Sequence, residues 1–417
     1  MVATFNVFAH QTVTDSQTIE GLIWTLPEQV CAITPSFWTQ TQGPSVLINN
    51  GDNNVEISVP ASYEFEYECC LPASNRIERL LYSADRIGFG ELTTGGALAE
   101  HYTVVTNLND DGSGSLRDAL RQPSPLWIVF DPSITGGTIY LRSKLNIHTR
   151  NLTIDGSGSD ITISPNAGLQ INMFQFRGGN TIVHDLTIDG KNTKSQAIML
   201  REGDLYWIDR VTATNFIYND ALVVGQGSRP ETSASEVTVS NYHAHNTQSG
   251  FQAGGNDNFP DFPLHRTTIH SSILAAEDRN PRIQYGGQTH VFNSYIHSFK
   301  YSGMNAGRNA QIFSENNVFS ALYAQNEVNA QTGRPAGAGP TGHVYSTGDT
   351  FLDVATSSGS IHLSGLSPFW LPYEYDLKPA SEVVDYVLAN AGAGKSSSSS
   401  FSCSVVTKNA TFTYPTN

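Results

Sequence analysis

Arg279 and Arg282 stand on either side of Pro281, and here residue type and spacing point directly to a chemistry. Proline fixes its own φ and drives the preceding Asn280 into an extended conformation, so both guanidinium groups leave the backbone at set places. Each is a rigid fork of five hydrogen-bond donors, a shape that suits the carboxylate of an acidic sugar. The same two residues on a loop open to water would be solvated surface charge. Six histidines, His184, His243, His245, His270, His290 and His297, fall on or beside strand-like runs. Their number alone would allow a metal cluster, but no pair has ligand spacing within a loop, which favours structural hydrogen bonding at strand corners.

The elements that must position these groups are strands. Only 15% of the 417 residues are charged, and 36 glycines and 19 prolines punctuate a chain rich in Thr, Ser, Asn, Val and Ile. That composition gives many short strands and turns. Apolar runs recur at 127–130, 152–155, 161–163, 181–189, 205–213, 237–243, 267–274, 290–296 and 311–319. Aligning the later ones on their polar centres puts Asn241, Ser271, Asn293 and Asn316 in register, with steps of 30, 22 and 23. A period just above twenty, with insertions, is that of a coiled stack of parallel strands, an all-β solenoid. Stacked Asn and Ser at one corner would bond each other and the turn backbone. An antiparallel sandwich also spaces strands by turns, but it does not require this register.

Residues 1–90 read as a small β-rich unit, from alternating runs at 55–59 and 63–67 between prolines. They hold no catalytic constellation and suit attachment or oligomerisation. Residues 91–101 read as a linker. Residues 102–120 give a strand, a turn and a short helix capped by Ser113 or Ser115, whose Leu116, Ala119 and Leu120 would close the open end of the stack. A last helix is expected within 372–395, capped by Ser381, with Val383, Val384, Val387 and Leu388 as its apolar stripe and glycines at its end. Residues 396–417 form a serine-rich spacer and a tail that adds one strand or stays mobile.

The net charge of −15 argues against nucleic acid and against an anionic membrane surface, so an acidic polymer would bind only where the charge is locally inverted. No run of 18 apolar residues would insert in a membrane, and the first residues lack the basic-then-apolar pattern of a secretory signal. Cys31, Cys69, Cys70 and Cys403 lack zinc spacing and are too few for a disulfide scaffold. Free buried thiols are the default and a bridge the alternative.

Taken together, several stretches resemble the pectate lyase superfamily: VTNLNDDGSGSLRDAL at 105–120, LYWIDRV at 205–211, RNPRIQYGGQTHVFNSYI at 279–296, SENNVF at 314–319 and AGAGK at 391–395. The likeness covers 102–395 in the family's own order. It implies a right-handed parallel β-helix and cleavage of acidic polysaccharides by β-elimination, usually with calcium. By the same resemblance Arg279 stands at the catalytic arginine, which takes the proton from the sugar carbon next to the carboxylate. Arg282 matches the motif as a substrate-binding residue. The next family arginine is replaced by Gln284, and the family lysine by Gln248. The positions of the calcium site correspond to Lys194, Gln196, Asp220 and Val224, of which only Asp220 is acidic, so no calcium cofactor is expected. Lys194 would supply positive charge to the substrate or stand as a solvated loop lysine.

Two functions follow. The first is a calcium-independent polysaccharide lyase acting on an acidic glycan, with Arg279 as base and Arg282, Gln284, Gln248 and Lys194 binding substrate. The second is a catalytically silent β-helix serving as a structural or receptor-binding body. A β-rich N-terminal unit ahead of a solenoid suits a phage tailspike or fibre depolymerase. Such a protein stands on a virion surface, meets other virion proteins through its N-terminal unit and forms a homotrimer. An extracellular protein lacking a signal peptide, or a bacterial intracellular or non-classically exported one, is the alternative. Specificity would lie in the loops at 225–235 and 254–264.

Overall fold

Hydrogen bonds between successive coils of backbone organise the larger part of the chain. The computed structural model describes residues 86–99, 102–225, 234–254, 265–320, 342–352, 354 and 367–395, together with the backbone of strands outside those spans. Within Leu80–Ser400, a unit of its own, parallel pairing builds three sheets of eleven, nine and eight strands among the described residues. One coil runs through Thr181–His184, Thr187–Asp189 and Gln196–Leu200, and the next through Asp204–Asp209, Thr212–Thr214 and Asp220–Val224. All pairings between coils are parallel, which excludes the sandwich and gives the expected parallel β-helix.

Each coil delivers apolar side chains to one continuous core. In the first sheet Val183, Ile208, Val239, Ile269 and Val291 stack in register and are fully or almost fully buried. Burying such a column contributes roughly 1.5–3 kcal/mol per side chain. The runs read as single strands, such as 181–189 and 205–213, are each two strands bent at a corner. The corner residue has positive φ: Asp185, Arg210, Asn241, Ser271, Asn293 and Asn316 lie between 47° and 54°. Asn tolerates this left-handed conformation, which explains the polar centres seen in the sequence. The residue after the corner turns inward and forms a polar ladder. Ser272 Oγ accepts from Tyr242 N–H (3.1 Å), Ser294 Oγ from Ser272 N–H (3.2 Å), Asn317 Oδ1 from Ser294 N–H (2.9 Å), and Asp349 Oδ1 from Asn317 N–H (2.7 Å).

The first end and the outer faces of the first two sheets are covered as well. Helix α1 (Leu116–Ala119), capped by Ser115, buries Leu116 and Ala119. Helix α2 (Ala380–Asn390) packs Val383 and Val387 on Ile273 and Val318 of the second sheet. Two expectations for α2 are corrected. Its N-cap is Pro379, which places Ser381 inside the helix, and Leu388 is 53% exposed because, of the expected stripe, Val383, Val384 and Val387 pack on the sheet and Leu388 does not. Beyond α2, Gly392 N–H donates to Asn241 O (2.7 Å) and Ala393 N–H to Thr212 Oγ1 (2.9 Å), pinning the AGAGK segment.

The stretch read as the start of a linker is a strap instead. Across the first sheet, Phe89 N–H donates to Thr268 Oγ1 (3.1 Å), Gly90 N–H to Thr238 Oγ1 (3.0 Å) and Gly96 N–H to Thr153 Oγ1 (2.9 Å). The approach is too close for side chains: a Cβ on Gly96 would stand 1.8 Å from Leu126 O. Tyr373 and Tyr375 cover the far end of the same face, where His290 bonds Tyr373 Oη and Glu315 Oε2, each at 2.9 Å.

The smaller unit joins Met1–Arg79 to Phe401–Asn417. Its four-stranded sheet has the order Ala9–Gln11, Ser404–Thr413, Ser62–Leu71, Trp38–Gln42, so the tail supplies a strand to the unit expected to end at 90. The boundary moves to 79, and 86–90 belong to the solenoid. The four cysteine side chains, the serine run and residues 226–233 and 255–264 of the two specificity loops lie outside the described residues.

Buried titratable groups make the stability depend on pH. Burial works to raise the Asp209 carboxyl, yet bonding to His184 and the charges of His184 and Arg210 hold it well below the usual carboxylate range. His243, His270 and His297 are pushed down to about 4, chiefly by burial. Unfolded histidine titrates near 6.5, so between about pH 6.5 and 4 the unfolded chain takes up protons that the folded chain refuses. Stability against urea should therefore fall through that window. His184, whose value is raised because Asp209 outweighs burial, opposes the trend. Replacing His243, His270 and His297 together by Gln should flatten the dependence; an unaltered slope would refute this assignment. Separately, Gly96→Ala should cost roughly 1–3 kcal/mol in urea unfolding by overpacking the strap.

Candidate active site

Arg279 belongs to the turn between the second-sheet strand Ile273–Ala275 and the third-sheet strand Arg282–Ile283. Its φ is 58°, an uncommon conformation for a residue with a side chain, and the surrounding bonds hold it there. Asn280 is wholly buried and clamps the turn: its Nδ2 donates to Ala276 O (3.0 Å), its Oδ1 accepts from Ala276 N–H (3.3 Å), and its own N–H donates to Gly303 O (2.7 Å). Phe251 N–H donates to the Arg279 carbonyl at 3.0 Å. The turn itself and two neighbouring coils thus fix one arginine backbone.

The guanidinium is equally well held. Nη1 donates to Asp220 Oδ1 (2.9 Å) and to Gln252 Oε1 (2.8 Å), and Nε stands 3.9 Å from Asp278 Oδ2. The Arg279 side chain is 33% exposed against 7% for Asp220, so the carboxylate forms the floor and the guanidinium the accessible layer. Nη2 makes no bond among the described residues. One terminal nitrogen is anchored, and the other is available to a ligand.

Next to it runs a row of third-sheet residues in continuous register: Gln175, Met199, Val223, Gln252, Arg282 and Asn305. Arg282 is half-buried and oriented from within its own strand. With its side-chain oxygen turned toward the guanidinium, Gln284 accepts from Arg282 Nε at 3.0 Å and Nη2 at 2.6 Å. Gln284 is 5% exposed, and in this orientation its side chain supports Arg282.

The other residues expected here divide. Lys194 is exposed, with Nζ 5.4 Å above the ring of Tyr218, itself 58% exposed. Gln248 is exposed on the same edge; its carbonyl accepts from Asp278 N–H (2.9 Å), while its side chain makes no bond among the described residues. Gln196 is buried and donates to Asn219 Oδ1 at 3.1 Å. Val224 is fully buried within the hydrophobic core, and its neighbour Val223 occupies the row. Gln252, the second anchor of Arg279, was not anticipated. Its signal is the alternation in SGFQA at 249–253, where Phe251 and Ala253 join the core and Gln252 does not.

These residues do not fit a calcium ion, which needs six to eight oxygen ligands. Asp220 is committed to Arg279, the Gln196 amide to Asn219, and Val224 has no side-chain oxygen. Among the described residues no group of three or more His, Cys, Asp or Glu is placed to hold a metal. His184, His270 and His290 are packed in the covered first sheet, as structural histidines would be.

The sequence and the fold have counterparts in known proteins. A sequence profile of the family described as pectate lyase matches residues 139–396. Pectate lyase 1 of Juniperus ashei is 27% identical over 315 residues, 70% of this chain and 84% of that protein. A pectate lyase of Lilium longiflorum is 28% identical over 265 residues, 57% of each. The chain thus spans less than two thirds of the length of some of these relatives. Among solved structures, the cedar pollen allergen jun a 1 superimposes with a TM-score of 0.61 at 20% identity, covering 78% of this chain and 98% of that one. A pectate lyase from Bacillus sp. N165, in complex with trigalacturonate, gives 0.56 at 21% identity, covering 74% and 99%. The strand order gives the fold and the matched span gives the kinship: the chain belongs to the pectate lyase family.

Proposed function

We propose that this protein cleaves an acidic polysaccharide by β-elimination without calcium at the family's usual place. The observation that carries the reading is the anchored arginine: Arg279 is fixed through Nη1 by Asp220 and Gln252, leaving Nη2 open. In the reaction a proton leaves the sugar carbon next to the carboxylate, the electron pair moves to form a carbon–carbon double bond, and the glycosidic oxygen departs. That carbon is acidic only when the carboxylate charge is countered, which cations at fixed positions do. Arg282, oriented by Gln284, is the carboxylate-binding cation. By the family resemblance Arg279 stands at the proton-accepting position, where only its neutral guanidine form can take that proton, on Nη2, with Asp220 and Gln252 as positioning residues. Since the Bacillus neighbour was solved with trigalacturonate, polygalacturonate is the first substrate to test.

The test is the ultraviolet absorbance of the unsaturated product. Arg279→Ala should lower kcat by about 100-fold or more. Arg282→Ala should act mainly on KM, and Asp220→Asn should lower kcat by roughly 10–100-fold through misplacement of Arg279. Binding of polygalacturonate, pectin and bacterial capsule without product from any of them would favour the catalytically silent reading. A second expected outcome concerns the metal: EDTA should leave the rate unchanged, and activity that vanishes with EDTA and returns with calcium would overturn the metal-free mechanism.

The tailspike reading is proposed on architecture. The smaller unit is a β body built from both ends of the chain, a form suited to attachment. Absence of the chain from purified virions would sink it.

A further inference from the structure

On the edge where second-sheet strands turn into the third sheet, far from Arg279, lies a cavity of about 440 Å³ lined by Asn109, Asp110, Asp111, Tyr140, Arg142 and Asn166 among others. Tyr140 ends the outer face of the strand Thr138–Leu141 and is 48% exposed. Arg142 follows that strand directly, is exposed, and makes no hydrogen bond or ion pair among the described residues. The acidic residues of the lining are already engaged: Asp110 by Arg117 and Asp111 by Arg121, each at 2.7 Å. The cavity therefore offers one aromatic face, one uncommitted guanidinium and amide groups, with its carboxylates neutralised. An aromatic face takes the apolar face of a sugar ring, and a free guanidinium takes a carboxylate as a bidentate partner.

Its place relative to Arg279 follows from the register. Second-sheet strands at Thr138–Leu141, Thr162–Pro165, Thr187–Asp189, Thr212–Thr214, His243–His245 and Ile273–Ala275 pair in succession, and Arg142 and Arg279 follow the first and the last of them. Five coil steps at ~4.8 Å put the two about 24 Å apart along one edge. Between them the edge carries Lys191, paired with Asp189 at 3.0 Å, and Lys194 above Tyr218 at 5.4 Å. In a chain of net charge −15, the turns after these second-sheet strands carry Arg142, Lys191, Lys194 and Arg279.

We propose that Tyr140 and Arg142 form a remote subsite for a uronic acid residue of the polymer whose reacting bond lies at Arg279, an inference that rests on the reading of that site as one for an acidic glycan. A chain laid along the edge is held at two separated points, so the subsite adds affinity for long polymers and nothing for short ones.

The experiment compares the full-length parent with Tyr140→Ala/Arg142→Gln, and with Tyr140→Phe as a variant that keeps the ring. Retention is measured by affinity electrophoresis in gels containing polygalacturonate, in an Arg279→Ala background so that nothing is cleaved. Kinetics are measured for polygalacturonate and for trigalacturonate. The double variant should lose roughly tenfold in affinity, about the loss of 1.4 kcal/mol. Its KM for polygalacturonate should rise by a similar factor, kcat should hold, and kcat/KM for trigalacturonate should not change; Tyr140→Phe should behave as the parent. Equal retention of parent and double variant would overturn the subsite whether or not the parent cleaves. Retention lost in the double variant, with no cleavage by the parent, would keep the subsite and sink the lyase reading. Failure of the parent to be retained by polygalacturonate, pectin or alginate would overturn both.

Discussion

Everything in the larger unit depends on one constraint, the parallel hydrogen bonding of each coil to the next. It fixes coils ~4.8 Å apart and allows no sliding where a column such as Val183, Ile208, Val239, Ile269 and Val291 is buried. Asp220 and Arg279, 59 residues apart, meet because they belong to neighbouring regions of this stack. The same register aligns Met199, Val223, Gln252, Arg282 and Asn305 in one row. A site made this way needs no dedicated loop. It needs turns that deliver polar side chains to the same edge.

A stack of this kind also leaves faces that must be closed. The outer face of the first sheet carries Thr153, Thr238 and Thr268, whose hydroxyls accept backbone N–H groups from the strap. A threonine suits both demands, since its branched side chain favours a strand and its oxygen satisfies a strap with no sheet partner of its own. The inner ladder from Ser272 to Asp349 meets the same need inside the core, where turn N–H groups would otherwise be buried unpaired at a cost of about 1–3 kcal/mol each.

These demands explain what could be read in the sequence. The first two sheets were legible because their shared corner requires a left-handed residue, and Asn241, Asn293 and Asn316 announce it at regular intervals. The third sheet was not, since outward Gln175, Gln252 and Asn305 interrupt its apolar pattern and turns of varying length precede its strands. The site therefore stands on the least legible elements. Arg279 and Arg282 were found through Pro281 and the family motif, whereas Gln252 becomes visible only when the coils are stacked. The glycines at 88–96 misled in a different way. Glycine marks a flexible segment in one setting and the closest backbone approach in another, and the 1.8 Å clash at Gly96 decides for the second.

The pairing of Arg279 with Asp220 carries the last step. A divalent ion brings two charges and takes oxygen ligands in flexible geometry. Arg279, anchored at Nη1, brings instead one nitrogen with its direction already set, and Gln252 removes the remaining freedom of the anchored one. Lys191 is likewise matched to Asp189, so the edge is less positive than its basic residues suggest. Long-range attraction of a polyanion to a chain of charge −15 is weak under such conditions, because fields are screened beyond ~8 Å at physiological salt. Recognition must then come from short-range contacts at defined points: the open nitrogen of Arg279, the oriented fork of Arg282, and the ring and guanidinium of Tyr140 and Arg142. Rigid stacking is what makes such contacts additive, since it holds the points at a spacing that the polymer meets without reordering the protein.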